Sequence, residues 1–146
     1  MNKTYVVYAV IAVGALAFIT FVYFSFKFYK KRRKTHVKQL DTELYTKKWK
    51  ALQKNCATRK TWPQAIVDAD NLLDEALRQR KFKGKTTGER LVAAQHTLTE
   101  NEDIWFSHKM RDSIVKEDVR RLKKQDILDA LSGFRQALKD LGALEK

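Results

Sequence analysis

Apolar residues follow two different patterns along this chain. From Tyr5 to Phe26, 22 residues pass without a charge, and the run is apolar all round. Beyond it, apolar residues recur at the three- and four-residue spacings of amphipathic helices, and no stretch alternates as a strand would. The patterns predict an all-α protein. One N-terminal transmembrane helix is followed by a cytoplasmic antiparallel helical bundle of four to five helices.

The first run is close to the ~20 residues a helix needs to cross a bilayer core. Six basic residues follow it within a turn or two: Lys27, Lys30, Lys31, Arg32, Arg33 and Lys34. Such residues are retained on the cytoplasmic side. The expected division is a short external N-terminus (1–4), a membrane helix (5–26), a basic juxtamembrane segment with a helix (27–60) and a bundle domain (61–146). The expected location is the cytoplasmic membrane, single-pass, with the carboxyl side inside. Tyr5 and Tyr8 at one end and Tyr23 and Tyr29 at the other suit the two interfaces. A cleaved secretory signal is the rival reading, because Ala15-Leu16-Ala17 has the form of a cleavage site. The run stays apolar well past Ala17, and the basic block would have to cross the membrane behind the signal.

Helices are expected over about 37–55, from Thr61, from Thr86, from Thr99, and over the last twenty or so residues. In the first, Leu40 and Leu44 form one stripe and Tyr45, Trp49, Leu52 and Cys56 another. No glycine or proline separates this helix from the apolar run, which allows one continuous helix. Thr61-Trp62-Pro63-Gln64 has the form of a capping box with proline in the first turn, and Ile66, Ala69, Leu73, Ala76 and Leu77 follow at helical spacing. Gly84 is the expected terminator of that helix. Thr86 with Glu89, and Thr99 with Glu102, read as two further capping boxes. The final stripe is Ile127, Leu131, Phe134, Leu138 and Leu141, ending at Gly142, with Gly133 allowing a close helix neighbour.

Charge changes the picture in one respect. The net +13 is concentrated in residues 27–60, which hold 13 basic residues against Asp41 and Glu43. Residues 61–146 hold 16 basic and 15 acidic residues, so the bundle is nearly neutral. A positive segment beside a bilayer contacts anionic lipid head groups, and Lys27, Lys30, Lys31, Arg32, Arg33 and Lys34 are the expected contacts. This distribution disfavours nucleic acid as the main partner. The lone Cys56 makes no internal disulfide and suits a reducing compartment. His36, His96 and His108 are scattered and lack cysteine companions, so neither a metal site nor a cofactor is expected. Asp68, Asp70, Asp74 and Glu75 follow no calcium-loop pattern and read as a solvated helix face.

No catalytic motif is complete. The one stretch with chemical potential is the helix after Thr99, where His108, Arg111 and Asp112 stand at i, i+3 and i+4 and can touch. Ile104, His108, Arg111 and Val115 share a face there. The expected role is a polar network fixing helix register, with Arg111 and Asp112 pairing with Glu89 or Asp70. General acid–base or phosphate chemistry by His108 with Arg111 is the competing role.

Thr87-Gly88-Glu89-Arg90-Leu91, then Trp105, His108-Lys109, Arg111-Asp112 and Glu117, then Ala130-Leu131, Phe134, Ala137-Leu138 and Leu141-Gly142, resemble small membrane-anchored helical proteins of candidate-phyla bacteria. Residues 61–144 are in turn distantly similar to HEPN domains, helical bundles found in RNases, toxins and nucleotide-handling systems. The HEPN nuclease signature is an arginine, often followed by asparagine, with histidine four to six residues after the arginine. Arg111 matches the arginine, Asp112 stands where asparagine is common, and Lys116 stands where the histidine would be. The resemblance therefore implies an inactive HEPN-like fold used for binding. The function expected from all of this is a single-pass, non-catalytic interaction or scaffold protein that holds a protein partner or another copy of itself. The alternative is an RNA-binding or RNA-cleaving HEPN-like domain tethered to the membrane.

Overall fold

The computed structural model describes residues 39–116 and 122–145, together with Tyr8, Gly14, Thr20 and Tyr23. The chain divides into two units, Met1–Val37 and Lys38–Lys146. In the first, the four described residues are helical, and Tyr8 and Tyr23 are exposed. The rest of the expected membrane helix and the basic block Lys27–Lys34 lie outside the described residues. Among the described residues, no helix is long and apolar enough to cross a membrane.

Among its described residues the second unit consists of helices joined by turns and short loops, with no strand. Its elements are α1 (Thr42–Asn55), a 3-10 turn (Arg59–Thr61), α2 (Trp62–Gln79), α3 (Thr87–Ala94), α4 (Asn101–Val115) and α5 (Lys124–Asp140). α2 is the hub and packs against each of the other helices, while α4 and α5 pack on one another. Its stripe is buried as the spacing predicts: Ile66, Ala69, Leu73, Ala76 and Leu77 have no exposed surface. Each large side chain buried this way contributes about 1.5–3 kcal/mol. Tyr45, Trp49 and Leu52 of α1, Leu91 of α3, Ile104 of α4, and Ile127, Phe134 and Leu138 of α5 complete one core. Leu44 faces outward instead, because α1 has α2 as its main neighbour and only one of its sides is covered.

Local chemistry sets the helix ends, and several differ from expectation. α1 starts afresh at Thr42 and does not continue an earlier helix. Residues 39–41 are non-helical, and the Asp41 carboxylate accepts the Leu44 N–H at 3.0 Å as an N-cap. Thr61 does not cap α2. The 3-10 turn runs straight into that helix, so Thr61 is already in the right-handed helical region, and its hydroxyl donates back to the Asn55 and Thr58 carbonyls. Gln64 bonds Asp68 rather than reaching back to Thr61. Half of the Thr86 box forms: its hydroxyl caps α3 by accepting the Glu89 N–H at 3.2 Å, while the Glu89 carboxylate reaches one residue further back and takes the Lys85 N–H at 2.6 Å. At α4 the expected Thr99 cap is diverted. Asp140 accepts both the Thr99 N–H and its hydroxyl at 2.8 Å, and this clasps the start of α4 to the end of α5.

Gly142 closes α5 as expected, at φ +74, with the Ala143 N–H returning to the Leu138 carbonyl. α2 ends in the same way but earlier than Gly84. Lys81 occupies the left-handed position at φ +61, and the Phe82 N–H bonds the Leu77 carbonyl at 3.0 Å. A lysine there carries a Cβ penalty that glycine avoids. Lys81→Gly is therefore expected to stabilise the bundle by about 0.5–1 kcal/mol. A lower melting temperature for this variant would contradict the assignment of Lys81 to that position.

Candidate functional site

Asp70 is the centre of the polar site. Its position on α2 is in register with Ile66, Leu73 and Leu77, so the helix carries the carboxylate into the core, where it is fully buried. Two groups on α4 meet it. His108 Nδ1 donates to Asp70 Oδ1 at 2.7 Å, and Arg111 Nε lies 3.3 Å from Asp70 Oδ2. The second contact is an ion pair whose angle falls outside hydrogen-bond alignment, so Arg111 Nε and Asp70 Oδ2 each lack a hydrogen bond. Arg111 also donates to the neighbouring Asp112 at 2.8 Å. The i, i+3, i+4 spacing of His108, Arg111 and Asp112 thus does produce one cluster, as the sequence suggests.

The carboxylate on Nδ1 fixes the tautomer. Nδ1 keeps its proton, so Nε2 is the atom that titrates. Nε2 lies 4.0 Å from Asp112 Oδ2 and faces Gly88 of α3, with the Trp105 ring edge-on 6.0 Å from the imidazole. The histidine pKa is raised above its ordinary 6.5. The hydrogen bond to Asp70 is the main cause, and the charges of Asp70 and Asp112 add to it, while burial and Arg111 oppose it.

Glu89 does not belong to this network. Its carboxylate is exposed and holds the Lys85 N–H. The next residue, Arg90, is the one that turns inward. It is buried, in register with Ala94, and its guanidinium binds Asp74 (2.7 Å from Nε, 2.5 Å from Nη2) and the Gly84 carbonyl (2.6 Å). Arg78 takes the other Asp74 oxygen at 2.7 Å. Asp70 and Asp74 are therefore buried ion-pair acceptors and not a solvated face. The sequence carried a signal for this, since both acids stand one turn from core positions of the α2 stripe.

A histidine oriented by a buried carboxylate is the second half of a nucleophile–base arrangement. The nearest hydroxyl in sequence, Ser107, points elsewhere. It lies 2.7 Å from the Asp103 carbonyl and 2.9 Å from the Ala130 carbonyl, on the α5 side of the helix. Val115, expected on the same face as His108, is exposed. Lys116 is exposed beyond the end of α4, and Arg111 is committed to two carboxylates. Among the described residues, no group of three or more histidine, cysteine or acidic side chains is placed to hold a metal ion. The arrangement locks α2 to α4 and, through Arg90, α2 to α3. Comparison of this chain with protein-family models, with curated proteins and with solved structures finds no match.

Proposed function

We propose that this chain is a single-pass, non-catalytic interaction protein. On this reading Tyr5–Phe26 crosses the cytoplasmic membrane with the amino terminus outside. The helical unit then stands on the cytoplasmic face and binds a protein partner or a second copy of itself. The anchor rests on the uncharged run and on the basic block behind it. The non-catalytic role is supported above all by one observation: the polar groups suited to chemistry are spent on one another. Asp70 is buried between His108 and Arg111, Arg111 is shared with Asp112, and Asp74 is closed by Arg78 and Arg90. A site built this way holds helices in register.

The test uses the whole chain in its native membrane. It should resist alkaline extraction, and protease added outside intact cells should leave the helical unit uncut. Crosslinking in those cells should trap the chain with a protein or with itself. Digestion of the helical unit from outside would overturn the topology. RNA cleavage by the purified chain that disappears in Arg111→Ala would overturn the non-catalytic reading in favour of a HEPN-like enzyme.

A further inference from the structure

α1 differs from the other helices in the sign of its surface. Its charged residues are four lysines and Glu43, and Glu43 sits in the first turn, where it complements the helix dipole. Lys48 is spent on Glu75 across the α1–α2 contact, at 2.7 Å. Lys47, Lys50 and Lys54 are exposed and, among the described residues, meet no acidic partner. At about 100° per residue they lie on the side of the helix away from Tyr45, Trp49 and Leu52, which enter the core. Lys60 in the 3-10 turn is exposed as well, and exposed Leu44 borders the stripe. By contrast, α2 is predominantly acidic and α4 and α5 interleave both signs.

We infer that this outer face of α1 docks on an anionic lipid surface, with Lys47, Lys50, Lys54 and Lys60 against the head groups. The inference takes its occupant from the membrane-anchored reading above. Charge complementarity selects an anionic surface, and the lysines of the helix follow the basic block behind the apolar segment, with Lys38, Asp41 and Glu43 the charges between them. Single-stranded nucleic acid is the other polyanion to consider. It is bound by lysines interleaved with exposed rings on which bases stack. The aromatic residues of α1, Tyr45 and Trp49, are both buried, so this face offers phosphate contacts without a stacking platform. A lipid leaflet needs only the charge and tolerates the bordering leucine.

The experiment is amine footprinting of the full-length chain in lipid nanodiscs, made of phosphatidylcholine alone or mixed with phosphatidylglycerol. Acylation at Lys47, Lys50, Lys54 and Lys60 is expected to slow by on the order of tenfold in the anionic discs and to recover in high salt. Lys109 and Lys124, on α4 and α5, should react at one rate in both. Equal rates at the α1 lysines in the two discs would overturn the docking. Slowing of equal size in neutral discs would assign the face to a second copy of the chain, and would overturn it too. Stronger protection of the same lysines by single-stranded RNA in neutral discs, at physiological salt, would replace lipid with nucleic acid. If alkaline washing strips the chain from neutral discs, the anchor fails, and the docking is then read with the same reagent on anionic vesicles.

Discussion

Gly133→Ala is expected to lower the melting temperature by about 10 °C, although alanine is the better helix former. A Cβ built at Gly133 would lie 2.7 Å from the Asp103 carbonyl oxygen and closer still to Ser107 Oγ. α4 and α5 touch backbone to backbone at this point, and the Ser107 hydroxyl bridges the Asp103 and Ala130 carbonyls beside it. A methyl group must either push the helices apart or displace the serine from both carbonyls. Overpacking of this kind costs about 1–3 kcal/mol, and the backbone contact places the cost at the upper end. The roughly 1 kcal/mol gained in helix propensity offsets part of it, leaving about 2 kcal/mol. All three tryptophans lie in the helical unit, so near-ultraviolet dichroism of the whole chain in mild detergent reports on it. Ser107→Ala in the same background should restore little, because the Asp103 carbonyl still obstructs the methyl group. Full recovery in the double variant, or no loss in the single one, would show that the helices are not held this closely.

The helical class and the core stripes were legible in the sequence because burial on a helix leaves a period. α2 repeats apolar residues at three and four, and the repeat alone places Ile66, Leu73 and Leu77 in the core. The helix ends were less legible. A threonine three residues before a glutamate or glutamine is a capping box only if nothing else competes for its hydroxyl. At Thr86 nothing does. At Thr61 the preceding 3-10 turn offers carbonyls, and at Thr99 Asp140 arrives from the far end of α5. The Asp140 contact spans 41 residues, and no local window contains it. The end of α2 shows the same limit: a lysine takes the left-handed position while a glycine stands three residues further on.

The candidate site was half legible. The spacing of His108, Arg111 and Asp112 guarantees that they share a helix face, and Asp70 was one of two acids open to them. Glu89 was the other, and it failed because the helix rotates it outward and brings Arg90 inward. The missing calcium-loop pattern and the fit of acids to the early helix dipole favour a solvated face for Asp68, Asp70, Asp74 and Glu75. For Asp70 and Asp74, register with Leu73 and Leu77 carries the contrary information, and burial follows register because each of these two meets a cation from another helix. Ser107 left no trace of its role, since a serine in a weakly amphipathic helix looks like surface until the facing backbone is known.

Asp70→Asn should be the most damaging substitution in the unit, with a loss of about 3–5 kcal/mol. The carboxylate is fully buried and serves His108 on one oxygen and Arg111 on the other. An amide of the same shape can accept from one of them, but it then turns an N–H₂ donor toward the other. It also leaves the Arg111 charge short of its counterion. The same change should remove a pH dependence. His108 binds its proton more tightly when folded than the ordinary 6.5, chiefly through the Asp70 hydrogen bond. A folded-state pKa above the unfolded one stabilises the protein fully below about pH 6.5, and the contribution fades as pH rises through the folded value. The native chain should therefore melt at a lower temperature as pH is raised from about 6.5 through the folded value, and Asp70→Asn should show a flatter profile over that rise. His108→Gln should flatten it as well, because it removes the titrating group while keeping a donor near Asp70. A native profile that rises with pH, or a slope that survives in both variants, would place the titration elsewhere and remove the histidine–aspartate pair from the centre of the site.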